Sequence, residues 1–411
     1  MYQMTLYIDP GTGSMLFSIL IGAIATLYFL LKAAIIKIKF VISGKRGLQA
    51  AETAHPFVIY CEGRQYCNLF VPIVQEFEQR KIPLVYYTSA QDDPLLSAEN
   101  KYVAAAYIGS GNAAFARLNL LEADVVLMTT PGLQVYQLKR SKKVRHYAHI
   151  LHAASDATMY RLFGIDYYDS VLLTGGYQKH DIRELETQRG LPHKELVTVG
   201  CPYLDTLAQK LRDIPEETQH PFTVLVSPSW GASAILAKYG EKLLDPLAQT
   251  GWRIIIRPHP QSKKSEAALL GRLTERYRQN SSVEWDYSAD NIYAMKKSDV
   301  MISDFSGIIF DYAFLCDKPV LYVSQDIDLR PYDADDLDHE IWQFTTLRKI
   351  GRELKEDQFD AIQHVIRTAA DSTEMQRARE QAKEEAWQHI GQGAARTVDF
   401  LVQKQQEFSA P

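Results

Sequence analysis

The chain has 411 residues, 46% of them hydrophobic, which is enough to bury one large core or two ordinary ones. A formal net charge of -5 supplies no basic excess and argues against a dedicated nucleic-acid binder. Cys61, Cys67, Cys201 and Cys316 stand without a CxxC pair or metal-ligand spacing and read as small buried hydrophobes of a reduced compartment.

From Met15 to Leu31 the sequence MLFSILIGAIATLYFLL carries no charge. As a helix it would span roughly 26 Å, close to the hydrocarbon thickness of a bilayer. Lys32, Lys37 and Lys39 follow, whereas the residues before the run carry only Asp9. The positive-inside rule then leaves residues 1–14 outside, makes 15–40 a transmembrane helix with its juxtamembrane segment, and puts the rest in the cytoplasm. A cleaved signal peptide would need a basic n-region, which is missing here.

After Gly44, short β-rich runs alternate with helical stretches. Strands are expected at 57–60, 84–87, 125–128, 149–152, 171–174 and 197–200, with helices at 69–80, 113–121 and 179–189 among them. Runs such as VVLM and VLL are continuous rather than alternating, as strands buried on both faces require. The second half repeats the scheme. Strands are expected at 223–227, 253–257, 283–286, 300–303 and 320–323, and helices at 234–249, 263–279, 291–297 and 306–315. This alternation predicts an α/β protein of two doubly wound, Rossmann-like domains, at 45–212 and 221–356. The polar, proline-punctuated RDIPEETQHP links them. Residues 357–405 are expected to be helices that pack back on the first domain.

Four segments end predicted strands, where open α/β sheets bind ligands. His152 closes YAHILH and can act as a general base, or simply cap a strand end. VLVSPSWG brings Ser227 and Ser229 to a strand-helix turn that can present hydroxyls and N–H groups to a nucleotide. In IIIRPHPQS, Arg257 and His259 leave a buried strand on a proline-stiffened loop, a pairing that suits an anion. In VMISDFSGIIFDY, Ser303, Ser306 and Gly307 open a helix whose free N–H groups form a phosphate cradle. Asp311 lies about one and a half turns further on and can reach a polyol or ribose hydroxyl. The DxD string at Asp333–Asp335 reads as a solvated acidic loop. No GxxxxGK[ST], HExxH or GxSxG motif is present.

Taken together, RPHP at 257–260, SDFSGIIFDY at 303–312 and DKPVLYV at 317–323 resemble the CDP-glycerol glycerophosphotransferases, the teichoic-acid primases and polymerases. GCPYLD at 200–205, VLVSPSW at 224–230 and GQGAARTVDFL near the C-terminus add to the resemblance. It implies a GT-B fold, two Rossmann-like domains facing a cleft, and transfer of glycerol or ribitol phosphate from a CDP-activated donor to a lipid-linked or polymeric acceptor. By position, His152 corresponds to the family's base and Arg257 and His259 to its donor-phosphate ligands. Ser303, Ser306 and Gly307 would complete that site, and Asp311 would touch the polyol. Where the family usually has Trp-His-Gly, this chain has Leu-His-Ala. The expected setting is a bacterial cytoplasmic membrane, with no metal, cofactor or nucleic acid. A nucleotide-sugar glycosyltransferase, a sugar-nucleotide epimerase and a degenerate, non-catalytic scaffold of the same fold remain as alternatives.

Overall fold

The computed structural model describes residues 54–409 except 216–219, 289, 305 and 325–326. The uncharged run at 15–31, its flanks, and residues 216–219 of the expected linker lie outside the described residues. No helix among the described residues is long and apolar enough to cross a membrane.

Thirteen strands among these residues form two wholly parallel sheets. The first contains β1 (His55–Cys61), β2 (Leu84–Thr88), β3 (Val103–Tyr107), β4 (Glu122–Met128), β5 (Lys143–Ile150), β6 (Ser170–Leu173) and β7 (Glu195–Thr198), ordered 3-2-1-4-5-6-7. The second contains β8 (Thr223–Val226), β9 (Arg253–Ile256), β10 (Val283–Trp285), β11 (Val300–Ser303), β12 (Val320–Tyr322) and β13 (Gly351–Glu353), ordered 10-9-8-11-12-13. Both orders reverse direction once, between β1 and β4 and between β8 and β11, as in doubly wound nucleotide-binding sheets.

The continuous apolar runs become strands because helices cover both faces. In the first sheet Ile59, Val125, Leu127 and Ile150 enter one core, while Val58, Val126, Met128 and Val171 enter the other. In the second, Val224, Ile254, Ile256 and Ile302 face one way and Leu225, Ile255 and Met301 the other. Two strands escape the apolar pattern. β3 reads VAAAY with only Val103 buried, and β13 reads GRE. Each lies at a sheet edge, where one flank and one face stay wet and an apolar run is not needed.

The predicted helix at 234–249 is two pieces, Ile235–Lys238 and Glu241–Ala248, because Gly240 turns left-handed at φ 42°. A helix that sequence reading left out, Pro202–Asp213, starts at Pro202 in its first turn, a position where proline costs nothing.

The C-terminal region departs from expectation. Only the helix Gly393–Ser409 packs on the first sheet, through Val398, Phe400 and Leu401. The helix Ile362–Ala370 instead fills one face of the second sheet through Ile362, Val365 and Ile366. The end of Thr373–Ala386, with Ala382 and Ala386, fills the other. The chain returns to the first sheet at Asp205, whose carboxylate accepts from Trp387 Nε1 at 2.9 Å, Gly391 N at 2.8 Å and Gly393 N at 3.0 Å. Gly200 belongs to the same crossing. Its φ is 96°, and a Cβ there would sit 2.5 Å from the Gln388 carbonyl oxygen. The GCPYLD and GQG strings are thus two sides of one chain crossing.

A second seam joins the sheets. Arg189 donates to Asp166 at 2.8 Å, Asp333 at 2.7 Å and Asp336 at 2.6 Å, and its side chain is 9% exposed. Asp333 also accepts from Phe163 N at 2.7 Å and Gly164 N at 3.1 Å. The DxD string is therefore no solvated loop at its first residue: Asp333 is fully buried. Burial pushes its carboxyl up to about 6 against the opposing pull of Arg189.

Candidate active site

His152 follows β5, and its ring meets Tyr66 edge-on at 5.1 Å. Its Nδ1 lies 3.3 Å from Thr129 Oγ1, just past β4, and 3.2 Å from the hydroxyl of Tyr160. That same hydroxyl is 3.2 Å from Nε2 of His149, which is wholly buried. Burial pulls His152 down to about 4 and His149 to about 3, so both rings are neutral at pH 7. One self-consistent arrangement of protons has His152 Nδ1–H donating to Tyr160, Tyr160 donating to His149 Nε2, and the lone pair of His152 Nε2 left over. Tyr160 is itself fixed from the second half of the chain, since its carbonyl accepts from Asp333 N at 2.9 Å.

In the second half three of the expected segments meet at the β8–β11 switch point. Ser303 Oγ donates to the Ser227 carbonyl at 2.6 Å, and the Asp304 carboxylate accepts from Ser229 N at 3.0 Å and Ile235 N at 3.1 Å. The ring of Trp230 lies 6.3 Å from that of His259 at an interplanar angle of 30°. His259 Nδ1 accepts from Gln261 N at 3.1 Å, which puts the proton on Nε2 and makes that atom a donor. Burial lowers the pKa of His259, with Glu266 and Asp304 opposing.

Several expected roles change here. Arg257 gives its guanidinium to Asp286 at 2.5 Å and to the carbonyl of Ser288 at 2.9 Å, so it braces the loop after β10 rather than presenting an open fork. Ser303 is fully buried, and its hydroxyl serves the Ser227 carbonyl. Asp304, through Ser229 N and Ile235 N, organises the loop after β8. Ser227 and Ser229 are buried, and the Ser229 hydroxyl has no hydrogen-bond partner.

The helix Ile308–Cys316 begins after Gly307 with no side chain capping it, and nothing lies within 4 Å of where a Gly307 Cβ would stand. The N–H groups of Ile309 and Phe310 donate to the carbonyls of Ser306 and Gly307 at 3.2 and 3.1 Å, so what the helix start keeps for an anion is its dipole, with the half-buried Ser306 beside it. Asp311 sits in the first turn and accepts from the hydroxyl of Tyr203 at 3.0 Å. Burial raises its carboxyl to about 7.

Sequence reading missed Thr129, His149 and Tyr160 because their meeting depends on the order of β4, β5 and the following loop. Tyr203 lay inside the quoted GCPYLD string, but nothing local pairs it with a residue 108 positions away.

Comparison with known proteins agrees with this architecture. A substituted form of the wall teichoic acid polymerase TagF, soaked with CDPG, superposes with a TM-score of 0.56 at 12% identity, over 95% of this chain and 99% of that one. The UDP-GlcNAc 2-epimerase of Methanocaldococcus jannaschii gives 0.54 at 14% identity, over 85% of this chain and 99% of that one. The UDP-GlcNAc 2-epimerase of Neisseria meningitidis gives 0.54 at 14%, over 84% and 100%. Likeness at this identity shows the fold, which transferase and epimerase share. No curated protein matches the chain. The family model for CDP-Glycerol:Poly(glycerophosphate) glycerophosphotransferase matches residues 168–402, more than half of the sequence and the whole second sheet, and the chain belongs to that family of enzymes.

Proposed function

We propose that this enzyme transfers glycerol phosphate, or a similar polyol phosphate, from a CDP-activated donor to a lipid-linked or polymeric envelope acceptor of the teichoic-acid kind. The observation that carries the reading is a neutral His152 at the end of β5 in a chain of this family. His152 Nε2 takes the proton of the acceptor hydroxyl. The acceptor oxygen forms a bond to the glycerol-bearing phosphorus of the donor, the bond from that phosphorus to the bridging oxygen breaks, and CMP leaves. The proton passes from His152 to solvent.

Such a transfer needs positioning and charge neutralisation more than covalent help. His259 Nε2–H, Ser306 and the positive end of the helix after Gly307 receive the donor's phosphates, without a step that needs a metal. Asp311, near the same helix start, meets the polyol hydroxyls, and the Ser227–Ser229 turn lies on the nucleotide side. Arg257 acts by holding its loop.

The run at 15–31 supports attachment to a bacterial cytoplasmic membrane by one helix, with the catalytic part in the cytoplasm. Confinement of enzyme and lipid-linked acceptor to one surface would raise the effective acceptor concentration. A full-length chain found soluble after cell fractionation without detergent would remove the anchor.

The reaction itself is tested by CMP release from CDP-glycerol, using detergent-solubilised full-length protein and a membrane lipid extract. Release that depends on the extract and disappears in His152→Ala is expected. Binding and turnover of UDP-linked sugars, with none of CDP-glycerol, would move the assignment to a glycosyltransferase or epimerase. Binding of CDP-glycerol without turnover would favour the scaffold.

A further inference from the structure

His180 and Glu184 stand one turn apart on the helix Gln178–Gln188 of the first half, so they share a face. His339 approaches them from the second half, on the loop that follows the Asp333–Asp336 turn. One ligand atom from each of the three lies within 4.8 Å of the other two. His339 Nδ1 is 3.3 Å from Glu184 Oε2, and the rings of His180 and His339 meet edge to face at 5.0 Å.

The remaining polar atoms around this cluster are held in place. Glu184 Oε1 accepts from Asp338 N at 3.0 Å and Gln188 Nε2 at 3.1 Å, which leaves Oε2 directed at His339. Asp181 Oδ1 lies 3.0 Å from His339 Nε2, so it can hold a proton there and free Nδ1 for an ion set between that nitrogen and Glu184 Oε2. A carboxylate behind a histidine is the usual device for orienting the ring towards a metal and raising its basicity. Asp181 Oδ1 is also 3.4 Å from His180 Nδ1.

Asp156 lies nearby, buried, with an Oδ1 that has no hydrogen-bond partner; burial, with the charge of Asp181 adding to it, pushes its carboxyl up to about 7.

We propose that His180, Glu184 and His339 bind one divalent first-row transition cation, oriented through Asp181, which ties the first half of the molecule to the second. Two imidazole nitrogens and one carboxylate oxygen select a zinc-like ion over magnesium or calcium, which prefer all-oxygen shells. Three protein ligands leave the fourth position to solvent. The cation spans the same seam as Arg189, whose partners Asp333 and Asp336 lie just before His339, so its occupancy sets how firmly that seam is held. The inference is independent of the transferred group.

The test titrates Zn2+ and Mg2+ into metal-stripped, detergent-solubilised full-length protein, with a chromophoric chelator as competitor. One equivalent of Zn2+ is expected to bind and Mg2+ to leave the signal unchanged. His180→Ala and His339→Ala should each remove that equivalent. Asp181→Asn, which touches no ion, should weaken it by about ten- to a hundredfold. Co2+ in place of Zn2+ should give visible absorption bands that vanish in His180→Ala. No retained Zn2+ would overturn the site. Equal retention in wild type and variants would also overturn it, since the ion would then lie elsewhere. The His180 side chain is 73% exposed, so its removal leaves the fold intact and keeps the test decisive should His339→Ala not fold.

Discussion

The two halves share a topology but place opposite chemistry at the ends of their strands. After β4 and β5 the first half gathers Thr129, His149, His152 and Tyr160, neutral groups among which His152 Nδ1–H can donate to Tyr160 and leave Nε2 a lone pair. After β8, β9 and β11 the second half gathers donors. Gln261 N occupies Nδ1 of His259 and leaves Nε2–H to donate, and the helix after Gly307 starts with no side-chain cap on its positive end. Two histidines, each held at Nδ1, are thus turned into a base and a donor by whether the neighbour there accepts a proton or donates one. Residue identity alone does not distinguish them.

That contrast breaks if the two histidines respond alike. His152→Ala should lower the rate of CMP release by about 10²–10⁴-fold, the range for loss of a general base. His259→Ala should cost about 10²–10³-fold, as for one donor to a developing charge. Circular dichroism should be unchanged in both. His259→Gln, which keeps a donor, should recover part of the loss, whereas His152→Gln should recover none.

The seam that holds the halves together should be the next largest effect. Arg189→Ala leaves Asp166 and Asp333 buried without their partner, and urea unfolding should show a loss of about 3–5 kcal/mol. Because Asp333 N also holds the Tyr160 carbonyl, the same variant should lower turnover beyond its effect on stability.

Acidity sharpens the comparison further. His152, lowered to about 4, stays neutral far below the ordinary histidine value of 6.5, so kcat/KM should not fall through pH 6.5 on its account. Between those values the unfolded chain binds more protons than the folded one, and acidification through that window should destabilise the fold. Asp311 works in the opposite sense. Its folded value near 7 lies above 3.8, so stability should decline as pH rises through that window, and Asp311→Asn should flatten the decline. Tyr203→Phe, which removes one hydrogen bond to Asp311, should cost only about 1 kcal/mol in the same unfolding assay.

Much of the scaffold is legible along the chain. Eleven of the strands correspond to apolar runs, because a strand covered on both faces must be apolar at consecutive positions. β3 and β13 were not legible, because VAAAY and GRE bury only their first residue and carry no apolar run. The RPHP and SDFSG strings marked the right strand ends, yet Arg257, Ser303 and Asp304 turned out to be structural members there. Their partners Asp286, Ser227 and Ser229 lie 29 to 76 residues away, and no local pattern couples them.

By itself, then, the sequence determined the alternation of strand and helix, the pairing of two doubly wound sheets, and the segments that end at their C-terminal edges. These follow from periodicity and from short-range rules for glycine, proline and helix starts. Tertiary structure alone decided which residues at those edges stay available. Each depends on a neighbour brought from another element: Tyr160 for His152, Tyr203 for Asp311, Arg189 for Asp333, His339 for His180 and Glu184. Burial and hydrogen bonding fix protonation and orientation only once those neighbours have met.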